Sequence, residues 1–286
     1  MNKTFDGWLS GFIGMLIFSG SLPATRVAVE GFDPVFLTSA RATVAGLLGL
    51  VPLALLRQRR PQGRDVPSLV VIACGVVVGF PLLTALALQY ISSAHSLVLV
   101  GLLPLPTAIF GVLRGDERLR PAFWLFAALG SLFVVAYATR QGGVTWTGDL
   151  LMLVAIIVCG LGYAEGGRLS RRLGGWQVIS WSLTLALPVM LPLAVITRPA
   201  SFTTVGAGAW AGLAYVAIGS MLLGFVFWYR GLALGGIAAV GQLQLLQPFF
   251  GLGLAALLLG ETVSWPMLAT TLGIIACVAG ARKFAT

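Results

Sequence analysis

One carboxyl group, Glu165, stands inside an apolar stretch of the sequence, two residues after Tyr163 and three before Arg168. A buried acid in that position can change charge as protons reach it, or it can hold a neighbouring guanidinium in an ion pair. Both readings stand at this point: proton coupling, or an interfacial pair with Arg168. Gln244 and Gln247 are the other polar pair in an apolar run. Three residues apart, they share a helix face, whereas Gln242 points elsewhere. Amides in hydrocarbon are costly unless paired or wet, so Gln244 and Gln247 are expected to line a polar path. Otherwise they bond neighbouring helices, each such bond being worth about 1 kcal/mol. The single histidine, His95, sits beside Ser92, Ser93 and Ser96; it either meets a ligand carboxylate or lies solvated in a loop. Phe18, Tyr163 and Trp181 could stack on an apolar ligand or serve as core. Arg26 and Arg41 lie near the ends of apolar runs, where snorkelling of the long side chain is the simpler account.

The residue inventory holds no paired carboxylates, no His or Cys cluster at metal-ligand spacing, and no nucleophile beside a base. It also has no glycine-rich phosphate loop. Catalysis, a resident metal, a cofactor and direct use of ATP are therefore not expected.

These groups have to be positioned by a chain that is 58% hydrophobic and 9% charged, with mean hydropathy +0.97. Too few charges exist to cover a water-facing surface, which places the chain in a bilayer. A span takes about twenty apolar residues to cross roughly 30 Å of hydrocarbon. Ten such runs are present, near 8–29, 34–56, 67–90, 93–113, 120–139, 148–167, 176–196, 208–229, 236–259 and 264–282. Their continuity predicts helices, since a barrel strand alternates. Most connections have fewer than ten residues, leaving no room for a soluble domain. The first run lacks a small-residue cleavage pattern and is expected to be retained. Cys74, Cys159 and Cys277 fall inside apolar runs and are expected to be free thiols. Pairs of glycines four apart, such as Gly7 with Gly11 and Gly231 with Gly235, predict close helix contacts. Tryptophans near the run ends, including Trp8, Trp146, Trp228 and Trp265, predict aromatic belts.

With the N-terminus inside, fourteen of the eighteen basic residues fall on the cytoplasmic side and only Arg140 and Arg198 opposite. That bias predicts cytoplasmic N- and C-termini. The net charge of +9 then reflects topology and anionic lipid on the inner face rather than nucleic-acid binding.

The sequence is also repetitive. Pro104 and Pro248 each stand thirteen residues before a glutamate, Glu117 and Glu261, and at an offset of 144 Ala94, Leu102 and Leu113 match Ala238, Leu246 and Leu257. Two copies of five spans, 1–142 and 143–286, force the second to enter the membrane inverted. Inverted repeats suit alternating access about a central site, which points to secondary transport. Pro104 and Pro248 lie near mid-span, where each lacks an N–H and crowds the carbonyl four residues earlier, so both are hinge candidates or packing kinks. Glu117 and Glu261 follow their spans in tight turns and are read as structural, each accepting backbone N–H bonds at the start of the next helix.

The stretches Leu103-Pro104 through Gly115-Asp116-Glu117 with Gly130 following, and Leu246-Gln247-Pro248 through Gly260-Glu261 with Gly273 following, resemble the tandem repeats of the drug/metabolite transporter superfamily. More narrowly they are similar to its ten-span EamA-type exporters, and within these to the aromatic amino acid exporter branch. The resemblance implies an all-α, multi-pass carrier of the bacterial inner membrane that moves metabolites outward without ATP.

With amides, hydroxyls and aromatic rings but little fixed charge, the expected site suits a zwitterion, and amino acids are the expected substrates. A multidrug exporter or lipid-linked carrier of the same fold is the alternative. Membrane lipid is the only other partner expected, and a monomer suffices for such a design.

Overall fold

The computed structural model describes residues 3–115, 118–140 and 146–282. All regular structure among them is helical. Ten helical rods follow in order: α1 (Thr4–Ala28), α2 (Pro34–Leu55), α3 (Gly63–Ala87), α4 (Ser93–Arg114), α5 (Pro121–Arg140), α6 (Trp146–Leu173), α7 (Gly175–Ile196), α8 (Ala207–Gly235), α9 (Ile237–Leu259) and α10 (Trp265–Arg282). Each falls on one of the ten apolar runs. Eight are long and apolar enough to cross a membrane, while α5 and α10 contain the shorter apolar segments Pro121–Gly130 and Trp265–Cys277.

Short connections make successive rods antiparallel. The end of the bundle where α1 starts and α10 finishes is here the first end; α2, α4, α6, α8 and α10 start at the second. Asp33 caps α2, its carboxylate accepting from Val35 N at 2.8 Å and Phe36 N at 3.3 Å, and Pro34 fits the first helical position. Single residues join α6 to α7 and α8 to α9. Those residues, Gly174 and Gly236, have φ of +93° and +91°, a backbone state in which a side chain is strained.

Small residues let the rods approach. The predicted glycine pairs of α1 and α8 face each other: a Cβ on Gly7 would stand 2.7 Å from Gly235 N, and one on Gly231 would stand 2.7 Å from Gly11 Cα. Gly75 of α3 likewise meets Val158 O and Gly162 of α6. α5 packs chiefly on α10 at the edge of the bundle.

Five rods are interrupted near their middles. α1 breaks at Gly20, between Lys3–Ser19 and Ser21–Ala28, where Tyr215 donates to Ile17 O at 2.7 Å. α3 and α8 carry π-helical segments, Ala73–Gly79 and Tyr215–Gly224, which overlap at the 144-residue offset. α4 opens at residues 101–103 between Ser93–Val100 and Pro104–Gly115. α9 tightens to a 3-10 helix over Gln242–Leu246 ahead of Pro248. Both repeat prolines therefore stand at the start of a new helical segment, as a residue without an N–H prefers.

The outward faces are apolar, with Leu55, Val195, Ile196 and Leu257 well exposed, a surface that fits lipid rather than water. Trp146 and Trp265 are about four-fifths exposed near rod ends, in keeping with belts. Trp228 corrects that expectation: it is fully buried. Its place in the sequence reads as interfacial, but α8 runs seven residues beyond it and turns the indole onto Phe18 and Tyr163.

Candidate functional site

A cavity lies in the middle of the bundle and extends toward the second end, walled by α1, α2, α3, α4, α6, α8 and α9. Both halves of the sequence contribute. Its apolar wall is aromatic. Phe18 lies nearly parallel to Tyr163 with centroids 6.3 Å apart, and meets Phe225 edge-on at 5.0 Å. These are the offset and edge-to-face geometries that rings prefer. The polar wall is made of hydroxyls, one amide and one cation: Ser21, Thr25, Thr84, Ser220, Gln247 and Arg41. Ser21 Oγ donates to Ser220 Oγ at 2.7 Å across the α1–α8 interface. The space measures about 20 Å³, room for roughly one water molecule. Anything larger than water can enter only if the rods part.

Of the ligand-contact candidates singled out from the sequence, Phe18, Tyr163 and Gln247 line this cavity. Gln247 donates to Phe18 O at 3.4 Å, and Gln244 donates from just behind the wall to the Tyr163 hydroxyl at 3.2 Å. The side-chain carbonyls of both glutamines have no partner. Trp181 lies apart, packed on the rim of the core. His95 is also apart, in the first turn of α4, with Nε2 2.7 Å from Asp149 Oδ1. That pair ties α4 to α6 at the second end. Among the described residues no group of three His, Cys, Asp or Glu side chains could hold a metal ion.

Arg41 was misplaced by the snorkelling argument. Its side chain is not drawn to a surface: the residue is 5% exposed, its Nε has no partner, and it forms part of the cavity wall. A cation at the centre of a span costs about 2.5–3.5 kcal/mol on insertion scales, and one seven positions in, without a carboxylate partner, still asks for a reason. The sequence signal was present, since an ionisable residue seven positions into an apolar helix is a site candidate by default. Ser21, Thr25, Thr84 and Ser220 were also missed, because short hydroxyls in a helix usually bond back to their own backbone, and Phe225 because an aromatic ring in an apolar run reads as core. Thr25 and Thr84 do so as well, at 2.7 Å and 2.8 Å.

Glu165 lies outside the cavity, nearer the first end, with a fully buried carboxylate. Oε1 accepts from Ser68 Oγ at 2.6 Å and pairs with Arg168; Oε2 accepts from Arg114 Nε at 3.0 Å. The predicted pair with Arg168 is thus present within a larger cluster joining α3, α4 and α6. Nearby, Arg172 of α6 pairs with buried Asp65 at the start of α3.

At the second end Glu261 accepts from Ser93 N at 3.1 Å, Ser93 Oγ at 2.9 Å and Ala94 N at 2.7 Å. Its structural reading gains a specific partner, which differs from expectation. The carboxylate caps α4 of the first half, not α10, the next helix. Glu117 lies outside the described residues.

A bundle of apolar helices broken around a small cavity with an aromatic wall and a hydroxyl wall fits a polytopic membrane transporter. The comparisons name the family. The EamA-like transporter family matches residues 6–138 and again 146–282, and the chain belongs to it. It is therefore a multi-pass bacterial membrane protein. It is 63% identical over 286 residues, all of both chains, to the uncharacterized transporter YdeK of Bacillus subtilis (strain 168). It is 26% identical over 251 residues, 84% of each chain, to the aromatic amino acid exporter YddG of Ancylobacter novellus. It is 24% identical over 248 residues, 86% of this chain and 83% of the relative, to a probable terminal-alkyne amino-acid exporter of Streptantibioticus cattleyicolor. A crystal structure with 22% identity superposes with a TM-score of 0.73 over 98% of this chain and 97% of the other.

Proposed function

We propose that this transporter exports amino acids, including apolar and aromatic ones, by alternating access through the central cavity. The observation that carries the reading is the cavity itself, whose aromatic wall of Phe18, Tyr163 and Phe225 faces hydroxyls and Gln247. Such a wall suits a small amphiphile with an apolar side chain. The amino acid exporters among the relatives support the same substrate class.

The two stretches 1–142 and 143–286 are proposed as inverted copies, with both termini and the first end in the cytoplasm. The double family match, the π segments at the same offset and the discontinuities beside Pro104 and Pro248 support that reading. Inversion lets the two halves exchange conformations and open the cavity to either side. In this state the first end is closed by the Glu165 cluster, and the cavity leans to the second end. Glu165 is proposed as a fixed ion-pair anchor. A proton-carrying role would require Arg114 and Arg168 to leave the carboxylate when the first end opens. By the repeat, Glu117 is proposed to have the same structural role as Glu261, tying its own half to the other. The protein is proposed to act as a monomer.

Uptake of labelled phenylalanine, methionine and threonine into liposomes holding the purified protein tests the reading. Accumulation above empty liposomes for at least one of them is expected. Uptake of none, with transport of a cationic drug or a lipid-linked precursor instead, would overturn it in favour of those carriers.

A further inference from the structure

Among the described residues nothing partners the buried Nε of Arg41. The residue is 5% exposed, and the residues sharing the cavity wall include no carboxylate. A guanidinium with unfilled donors in a desolvated site binds an anion strongly, and its planar fork matches a carboxylate bidentately. One positive charge, with no lysine, histidine or second arginine in the wall, balances a monoanion and leaves a phosphate dianion half compensated. The lack of an acid in the wall bears on the other end of the ligand. An α-ammonium would find only neutral acceptors, chiefly the unpartnered Oε1 of Gln247.

Resting on the amino acid reading above, we propose that Arg41 is the carboxylate subsite of the cavity. Substrates are selected as monocarboxylates with an apolar or aromatic body, the amino group being accommodated but not required. The class therefore includes deaminated counterparts of apolar amino acids as well as the amino acids themselves.

The test uses the full chain in detergent or nanodiscs, with thermal unfolding followed as each probe is added, since a ligand that binds only the folded state raises Tm. The probes are phenylalanine, 3-phenylpropanoate and phenylalaninamide, applied to wild type, Arg41→Gln and Arg41→Lys. Expected is a Tm rise with 3-phenylpropanoate at least as large as with phenylalanine, and at least about tenfold weaker binding of the amide, as loss of a charge-assisted contact implies. Arg41→Gln should lose the response to both acids while unfolding at or above the wild-type temperature, because it removes an uncompensated buried charge. Arg41→Lys should keep a weakened response. If the amide binds as well as the acids, or Arg41→Gln keeps its preference for them, the subsite is wrong. A response to 3-phenylpropanoate that depends on Arg41, with none to phenylalanine, upholds the subsite and removes the amino acid reading. Silence to all three probes overturns both.

Discussion

The carboxylate of Glu261 accepts the backbone N–H of Ala94 at 2.7 Å across 167 residues of sequence. It thereby fixes the turn between α9 and α10 to the first turn of α4. A negative charge at a helix N-terminus meets unpaired N–H donors and the positive end of the helix dipole. This contact joins the two halves of the chain away from the cavity, so it bears on assembly rather than on ligand recognition. Glu261→Ala is expected to destabilise the protein by about 1–2 kcal/mol, the usual worth of a helix cap. Thermal unfolding of purified protein reads that loss, and ligand-induced Tm shifts, expected to stay as in wild type, read ligand binding. An unchanged Tm together with weakened ligand binding would contradict the structural role.

Glu165 serves three helices at once, and its charged partners are guanidiniums that are nearly half exposed. Replacing it with glutamine keeps the shape but leaves two cations around a neutral amide. A loss of about 1–3 kcal/mol is expected, less than for a fully buried pair because water screens the arginines. Under the anchor reading, liposomes holding Glu165→Gln respond to an imposed pH gradient as wild type does. Gradient-driven uptake that disappears only in Glu165→Gln would make the carboxyl the proton site.

The glycines of α1 and α8 give a sharper contrast. A methyl group at Gly231 would come within 2.7 Å of the backbone of Gly11, whereas one at Gly253 meets nothing within 4 Å. Gly231→Ala is expected to cost about 1–3 kcal/mol through overpacking. Gly253→Ala is expected to be neutral or to add up to about 1 kcal/mol from helix propensity. Abundance and thermal stability of the two variants side by side check this; equal behaviour would mean that α1 and α8 do not approach so closely.

The rods were legible in the sequence because bilayer thickness imposes a one-dimensional signal, and each apolar run became one rod. The prolines marked the discontinuities of α4 and α9 for a similarly local reason, the missing N–H. Gln244 and Gln247 were found by cost alone, amides being rare in hydrocarbon. Arg41 was not, since whether a side chain seven residues into α2 reaches a surface or a cavity depends on the rotation of that helix. The rotation is set by Gly46 and Gly49 seating against Leu187 and Ser180 of α7, a contact no local pattern announces. Glu261 hid its partner likewise: the turn suggested a cap, but the helix it caps lies in the other half of the chain.

Pro104 and Pro248 stand where two rods change their hydrogen-bonding pattern. In α4 the amides of Gly101, Leu102 and Leu103 bond to carbonyls three residues back, at 2.9–3.0 Å. Pro104, lacking an N–H, cannot return the ladder to Val100 O, which accepts from Leu103 instead. In α9 the Gln244 carbonyl accepts from Gln247, so the bond that Pro248 cannot make is replaced in the same way. Alanine at either position supplies the missing donor and removes the ring that crowds the preceding turn, allowing a continuous helix. A straighter α4 or α9 would resist the bending by which the cavity changes its access. Pro104→Ala and Pro248→Ala are therefore expected to lower the maximal uptake rate several-fold, with KM changed little and Tm unchanged or raised. Initial rates of phenylalanine uptake against concentration separate the two parameters. A variant that keeps its maximal rate but loses affinity would assign the proline to the shape of the cavity wall, next to Leu103 and Gln247, rather than to movement.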